Sequence, residues 1–443
     1  MAEITMVGDH AAGRLRRVLG VGFGLAVIIG STLGIGILRT PGIVAGQLRI
    51  PGAIIAIWIL GGLYTLLGSI CLTELGTMVP QAGGFYVYAR RAFGDWVGFA
   101  VGWTDWIAYG SVLGYISIGM SEFLGGLVPS LAGAVRPVAI ALLVGFVGLQ
   151  WAGVRVGSWV QSWTTAMKCL AFLALVVAGL AMSSTASASA PRAAAPLAPL
   201  TLAGLVAALQ AVVITFGGWQ SALYFTEEDR DPVKNLPRVM IGGVLVVIVI
   251  YVLVNLALLA ILPVPSLAAS TLPAADAAQL VVGARGRQII TILSIVSLVP
   301  LLNAIMMIGT RILFGLGRDR LFWSRTAEVN AGGTPGVATL ITTAVAIVLI
   351  ATGTFQRLIA MTSFFLAVNY AICCLALVAL RRREPATARP FRAWGYPWSA
   401  AIVVAGALAL LVGALIGDTI SALEATGLLA VGLFGHAVHR RVR

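Results

Sequence analysis

The sequence predicts an all-α integral membrane protein of about twelve transmembrane helices, a 5+5 inverted repeat with discontinuous helices 1 and 6, plus two extra C-terminal helices. Three observations carry this. Hydrophobic residues make up 59% and charged residues 10% of the 443 residues, with a mean hydropathy of +1.00, whereas a soluble domain carries about 25% charged residues. About twelve apolar runs approach the roughly 20 residues that cross a hydrocarbon core. The first and sixth of these runs are interrupted by glycines at comparable depth.

In order, the spans read as 18–46, 52–79, 95–124, 134–153, 157–182, 203–227, 239–262, 288–316, 335–353, 357–380, 398–417 and 420–437. The chain, 1–443, is one transmembrane domain in which 18–182 forms the first repeat, 203–380 the second and 398–437 the added pair. The segment after Arg16 and Arg17 is long, Gly-rich and followed by further spans, so it reads as span 1 rather than as a signal peptide. Residues 183–200, rich in Ser, Ala and Pro, read as a low-complexity loop. Two connecting stretches, 81–94 and 317–335, interleave aromatic and basic residues as surface-lying helices do, and are candidate elements of an inner gate.

The formal charge of +13 raises the question of a nucleic-acid partner. The basic residues sort by side instead. The N-terminus, its side's loops and the C-terminal tail hold twenty Lys and Arg, from Arg14, Arg16 and Arg17 to Arg440, Arg441 and Arg443. The opposite loops hold six: Arg49, Arg136, Arg192, Arg285, Arg287 and Arg357. The positive-inside rule then places both termini in the cytoplasm, and contact with anionic membrane lipid absorbs the excess, leaving no nucleic-acid patch. Cys71, Cys169, Cys373 and Cys374 lie in apolar runs without metal-site spacing, so neither a metal nor another cofactor is expected. His10, His436 and His439 lie near the ends and no catalytic motif stands where chemistry could use it, which excludes an enzyme.

Span 1 contains Gly30, Ser31, Thr32, Leu33, Gly34, Ile35 and Gly36, with Pro41 and Gly42 beyond; span 6 contains Phe216, Gly217, Gly218 and Trp219. Glycine leaves helical dihedrals readily. Non-helical backbone at membrane depth persists only where it is buried or lines a cavity. A matched pair of interruptions is the sequence pointer to a transporter's binding site. Close-packing glycines of the small-xxx-small kind are the other reading of Gly30 and Gly34. The two breaks are offset by five spans, an odd number, so the repeat must be inverted. The half-helix after Gly34 offers N–H groups and a positive dipole end to a carboxylate. Carbonyls freed at Thr32, Ile214, Thr215 and Gly217 suit an ammonium group. An α-amino acid is the simplest substrate needing both.

These residues resemble the amino acid, polyamine and organocation (APC) superfamily, close to its bacterial L-type amino acid transporter-like permeases. The resemblance rests on Gly34-Ile35-Gly36-Ile37-Leu38 with Pro41, on Gly217-Gly218-Trp219 with Tyr224-Phe225-Thr226-Glu227-Glu228, and on Arg389-Pro390-Phe391-Arg392 with Gly395-Tyr396-Pro397-Trp398. It implies a multi-pass protein of the bacterial cytoplasmic (inner) membrane. It also implies that the substrate carboxylate meets the N–H groups of Ile35 and Gly36, while the amino group meets carbonyls of Thr32, Ile214, Thr215 and Gly217. Ile35 replaces the serine common in the family's G-S-G. Ile214 stands where many relatives carry an aromatic gate, which leaves Phe216 as the other candidate to cover the substrate.

Lys168 lies mid-span 5, where a cation costs roughly 2.5–3.5 kcal/mol on insertion scales. The resemblance implies a built-in replacement for bound sodium that bridges span 1 to span 8; a permanently charged staple is the alternative, and burial also makes a proton-coupled cycle physically possible. Asp105 is expected to accept a proton, to pair with a polar neighbour or to meet water at a helix end. Arg311 is expected to snorkel to the interface, and Glu74 to bond the adjacent surface helix. Asn255, Asn303 and Asn369 are expected to bond between helices.

The expected function is sodium-independent secondary transport of neutral L-amino acids by alternating access, as an exchanger, with proton-coupled symport and a non-transporting amino acid sensor as alternatives. The lack of a long tail after span 12 argues against the sensor. No exposed external cysteine offers an anchor for a partner subunit, so no obligatory partner is expected.

Overall fold

The computed structural model describes residues 15–182 and 201–442. Arg14, Arg192, Arg443, His10 and the 183–200 loop lie outside the described residues. The described chain is helical, with one isolated bridge between Leu19 and Asp229. The helices are α1 (Val21–Thr32), α2 (Gly36–Gln47), α3 (Pro51–Met78), α4 (Phe85–Phe93), α5 (Asp95–Leu127), α6 (Val135–Trp151), α7 (Val154–Ala181), α8 (Leu202–Thr215), α9 (Pro232–Ile261), α10 (Val264–Ala269), α11 (Pro273–Val282), α12 (Gly286–Arg318), α13 (Gly336–Thr352), α14 (Phe355–Arg383), α15 (Trp398–Gly417) and α16 (Thr419–Val442).

Eight of these are long and apolar enough to cross a membrane; α1 and α2 make a ninth span bent by 46°, and α6, α8 and α13 are shorter apolar helices. Each predicted span therefore has a helical counterpart. Local chemistry starts several of them: Pro51 and Pro232 occupy first-turn positions where a missing N–H costs nothing. Thr201, Asp231 and Thr354 cap α8, α9 and α14 by accepting backbone N–H bonds. The spans α5 and α12 are the most buried, whereas α15 and α16 turn most of their apolar surface outward, as helices appended to a bundle do.

Helices α3, α12 and α14 end, and α4 lies, at the arginine-rich face, here the basic end. Both stretches singled out as gate elements make hydrogen bonds and ion pairs there. In 81–94, the Ala82 N–H donates to Glu227 Oε2 at 2.9 Å and Tyr86 Oη donates to Asp319 at 3.2 Å. Arg90 pairs with Asp319 at 2.6 Å and Arg318 with Glu227 at 2.5 Å. The entry to α1 joins them: Leu19 exchanges backbone bonds with Glu228 (3.0 Å) and Arg230 (3.1 Å), and Phe23 packs edge-on to Phe225 with ring centroids 5.2 Å apart.

Two charged residues depart from expectation. Arg311 does not snorkel: its Nε and Nη2 donate to Glu228 at 2.9 and 3.2 Å, and neither side chain is exposed to solvent. A bidentate carboxylate supplies inside the protein what the interface would otherwise offer. Glu74 is bonded not by the surface helix α4 but by Arg381, Arg389 and the Ala393 N–H, which ties α3 to the end of α14 and the segment after it. Removing one partner of a buried ion pair strands the other, at a cost of about 3–5 kcal/mol. Arg311→Met is therefore expected to lower the melting temperature in detergent sharply, and adding Glu228→Gln is expected to restore part of the loss.

Candidate functional site

Both interruptions form and face each other. In span 1, α1 stops at Thr32, Leu33 leaves helical dihedrals (φ −69°, ψ 88°), and α2 begins at Gly36. In span 6, α8 stops at Thr215 and the chain turns through Gly218 at φ +112° into a short 3-10 turn, Ser221–Phe225. A Cβ on Gly218 would lie 2.5 Å from the Ser31 carbonyl oxygen, so only glycine lets the two breaks approach. Ser31 Oγ seals the contact through Ser221 Oγ at 2.8 Å. Gly36 likewise admits the end of α8, since its Cβ would stand 2.9 Å from Thr215 Cγ2. Gly30 plays the other role weighed for it. It lies inside α1, where a Cβ would strike Gln161 and Thr165 of α7 at 2.5 Å, so it is a packing glycine.

A cavity of about 650 Å³ opens beside the breaks and runs toward the end opposite the basic one, reaching Ile43, Gln356 and Asp418. Of the expected site residues, Thr32, Gly34, Ile35, Gly36, Ile214, Thr215 and Gly217 all line it. Phe216 does not: it is buried behind the break, its ring 4.8 Å from that of Tyr251 and 6.2 Å from that of Trp58. Ile214, half exposed, faces the cavity instead. Sequence reasoning offered Phe216 as a cover because it is the aromatic nearest the break, but the turn after Thr215 directs it into the core.

The two kinds of backbone group at the breaks are not equally available. No side chain caps α2, and the N–H groups of Ile35 and Gly36 have no acceptor among the described residues. Thr32 Oγ1 is also without a partner there. Most carbonyls, by contrast, are engaged. Tyr251 Oη reaches Thr32 O at 2.7 Å and Thr215 O at 3.0 Å, and the Gly217 N–H donates to Ile214 O at 2.9 Å. Lys168, fully buried, donates from Nζ to Gly30 O at 2.9 Å and to Leu33 O. Its hydrogen bonds thus hold the span 1 break; none reaches α12 among the described residues, unlike the bridge that the resemblance implies.

The cavity floor is polar but uncharged. Gln220 Nε2 donates to Tyr109 Oη, and Tyr370 Oη donates to Gln220 Oε1, each at 3.1 Å. Beneath it, buried Asp105 accepts from Tyr224 Oη at 2.8 Å, so it pairs with a polar neighbour rather than with water at a helix end. Asn303 links α12 to α6 and α7 through Gln150 and Gln161, and Asn369 accepts from Thr104 of α5. Asn255 donates within its own helix, to Tyr251 O.

Two residues around the breaks, Tyr251 behind them and Arg39 in the cavity lining, escaped the sequence reading. Tyr251 of span 7 gave no local signal, because a tyrosine in an apolar helix looks like core. Arg39 was detectable as an ionisable residue within span 1. Tyr251→Phe removes only the hydroxyl shared by Thr32 O and Thr215 O; with unsatisfied buried carbonyls costing about 1–3 kcal/mol, uptake is expected to fall roughly tenfold while the melting temperature shifts by a few degrees.

Comparison with known proteins agrees with this geometry. The amino acid permease family model matches residues 24–427. The chain is 28% identical over 431 residues to the serine/threonine exchanger SteT of Bacillus subtilis, covering 96% of each chain. It is 26% identical over 394 residues to the mouse b(0,+)-type amino acid transporter 1, covering 85% of this chain and 79% of that one. It is 27% identical over 399 residues to the human Asc-type amino acid transporter 1, covering 88% and 76%. Paired helix breaks beside a cavity and a match across almost the whole length lead to one conclusion: this multi-pass membrane protein belongs to the amino acid permease family of the APC superfamily.

Proposed function

We propose that the protein exchanges neutral L-amino acids across a bacterial cytoplasmic membrane, without sodium and without an obligatory partner subunit, by alternating access. Spans 1–5 and 6–10 act as the two repeats, and the basic end faces the cytoplasm, following the distribution of arginines. With that orientation the conformation is outward-facing: the cavity opens outside and ion pairs close the inside. The observation that carries the reading is the uncapped start of α2, where Ile35 and Gly36, whose N–H groups have no acceptor among the described residues, line the cavity together with Thr32 and Ile214. A helix N-terminus suits a carboxylate. The ammonium group completes its bonds on carbonyl lone pairs, of which each oxygen has two.

Neutral side chains follow from the floor, where Tyr109, Gln220 and Tyr370 offer polarity without charge. Sodium independence follows from Lys168, whose ammonium sits among carbonyls of the break that would otherwise suit a metal cation. Exchange agrees with the similarity to SteT of Bacillus subtilis, a serine/threonine exchanger. Proton-coupled symport is the second reading, favoured by Asp105, a buried carboxyl group that no cation pairs with among the described residues.

Competition against labelled serine uptake tests the recognition. Alanine, threonine and unlabelled serine are expected to compete, while serinamide, lacking the carboxylate, and N-acetylserine, lacking the ammonium, are expected to be about a hundredfold weaker. Equal inhibition by the amide would remove the role of the α2 N-terminus.

A further inference from the structure

We propose that Arg39 forms an outer carboxylate subsite at the mouth of the cavity, which receives the incoming amino acid before the breaks do and discriminates against cationic amino acids. This rests on the reading that the cavity admits amino acids. Arg39 stands one helical turn beyond Gly36 on α2, about 4.5 Å along the axis at 1.5 Å per residue. It lines the cavity and is half-buried. Its guanidinium lies 6.0 Å from the ring centroids of both Phe123 and Phe355. No hydrogen bond or ion pair engages it among the described residues, in contrast to the nearby Arg357, which pairs with Glu424.

Two rings thus hold a guanidinium in place while leaving its five N–H donors unused, a geometry suited to a bidentate carboxylate. The one other charged residue lining the cavity, among those described, is Asp418, and its carboxylate is already engaged by the Ser421 N–H and Oγ. Those bonds keep Asp418 ionised, and Arg39 is the one positively charged group lining the cavity among the described residues. A unit charge within about 10 Å, at an effective dielectric of about 20, changes the occupancy of a charged ligand roughly tenfold. A carboxylate released from Arg39 has one helical turn to travel to the N–H groups of Ile35 and Gly36. A second cation on the ligand is repelled along the same path.

The test uses proteoliposomes with wild type, Arg39→Gln and Arg39→Lys. Arg39→Gln is expected to raise the external KM for serine about tenfold, with the change in KM rather than in maximal rate, and to improve inhibition by lysine relative to serine by a similar factor. Arg39→Lys is expected to keep the discrimination. Unchanged KM together with an unchanged lysine-to-serine ratio in Arg39→Gln would overturn the proposal. A measurement independent of flux follows phenylglyoxal modification of the purified wild type by peptide mapping. Propionate is expected to slow modification of Arg39, relative to chloride at equal ionic strength, without slowing that of exposed Arg49. Equal slowing at both arginines, or at neither, would also overturn it. Protection of Arg39 with no serine flux would remove the amino acid reading and leave the anion subsite standing.

Discussion

Lys168→Ala is expected to reduce serine uptake about a hundredfold per molecule of folded protein. The ammonium is fully buried in α7 and donates to Gly30 O in the last turn of α1 and to Leu33 O in the span 1 break. Removing it strands two buried acceptors at about 1–3 kcal/mol each. A loss near 3 kcal/mol from one conformer shifts a two-state balance by roughly a hundredfold. Arginine is not expected to rescue, because its rigid planar fork differs from a compact ammonium. Initial uptake rates, normalised to the monodisperse fraction, give the readout; a mutant within twofold of wild type would reduce Lys168 to a staple without function.

Gly218→Ala is expected to abolish uptake and to destabilise the fold by about 3 kcal/mol. The residue sits at φ +112°, a conformation that costs an L side chain about 1–3 kcal/mol. The added Cβ would also lie 2.5 Å from Ser31 O, 2.7 Å from Ser31 C and 3.0 Å from Thr32 N. All three are backbone atoms of the opposing break, so no rotamer change relieves the clash. Gly46→Ala, where a Cβ meets nothing within 4 Å, serves as the control and is expected to melt close to wild type.

These two residues also show what could be read from the sequence. Hydropathy places the spans because the bilayer imposes length and composition on each one, and the Gly34 and Gly217-Gly218 interruptions are visible because glycine marks backbone that leaves the helix. Gly30 carried the same letter for another reason, the approach of α7, and only the contact with Gln161 and Thr165 separates the two. Arg311 looked like an interfacial residue because its partner, Glu228, lies far away in sequence, in the connection between spans 6 and 7. Tyr251, bonded to Thr32 O and Thr215 O, and Phe216, packed on the Tyr251 and Trp58 rings, depend on contacts distant in sequence, which no local pattern encodes. The backbone breaks beside the cavity were thus legible in the sequence, and the side chains around them were left to tertiary geometry.

The most direct test of the central claim is serine uptake into proteoliposomes loaded with unlabelled serine or left empty, each with and without sodium and a pH gradient. An exchanger predicts rapid uptake into loaded vesicles, little into empty ones, and indifference to both ions. Accumulation in empty vesicles that collapses with the pH gradient, or that requires sodium, would contradict it.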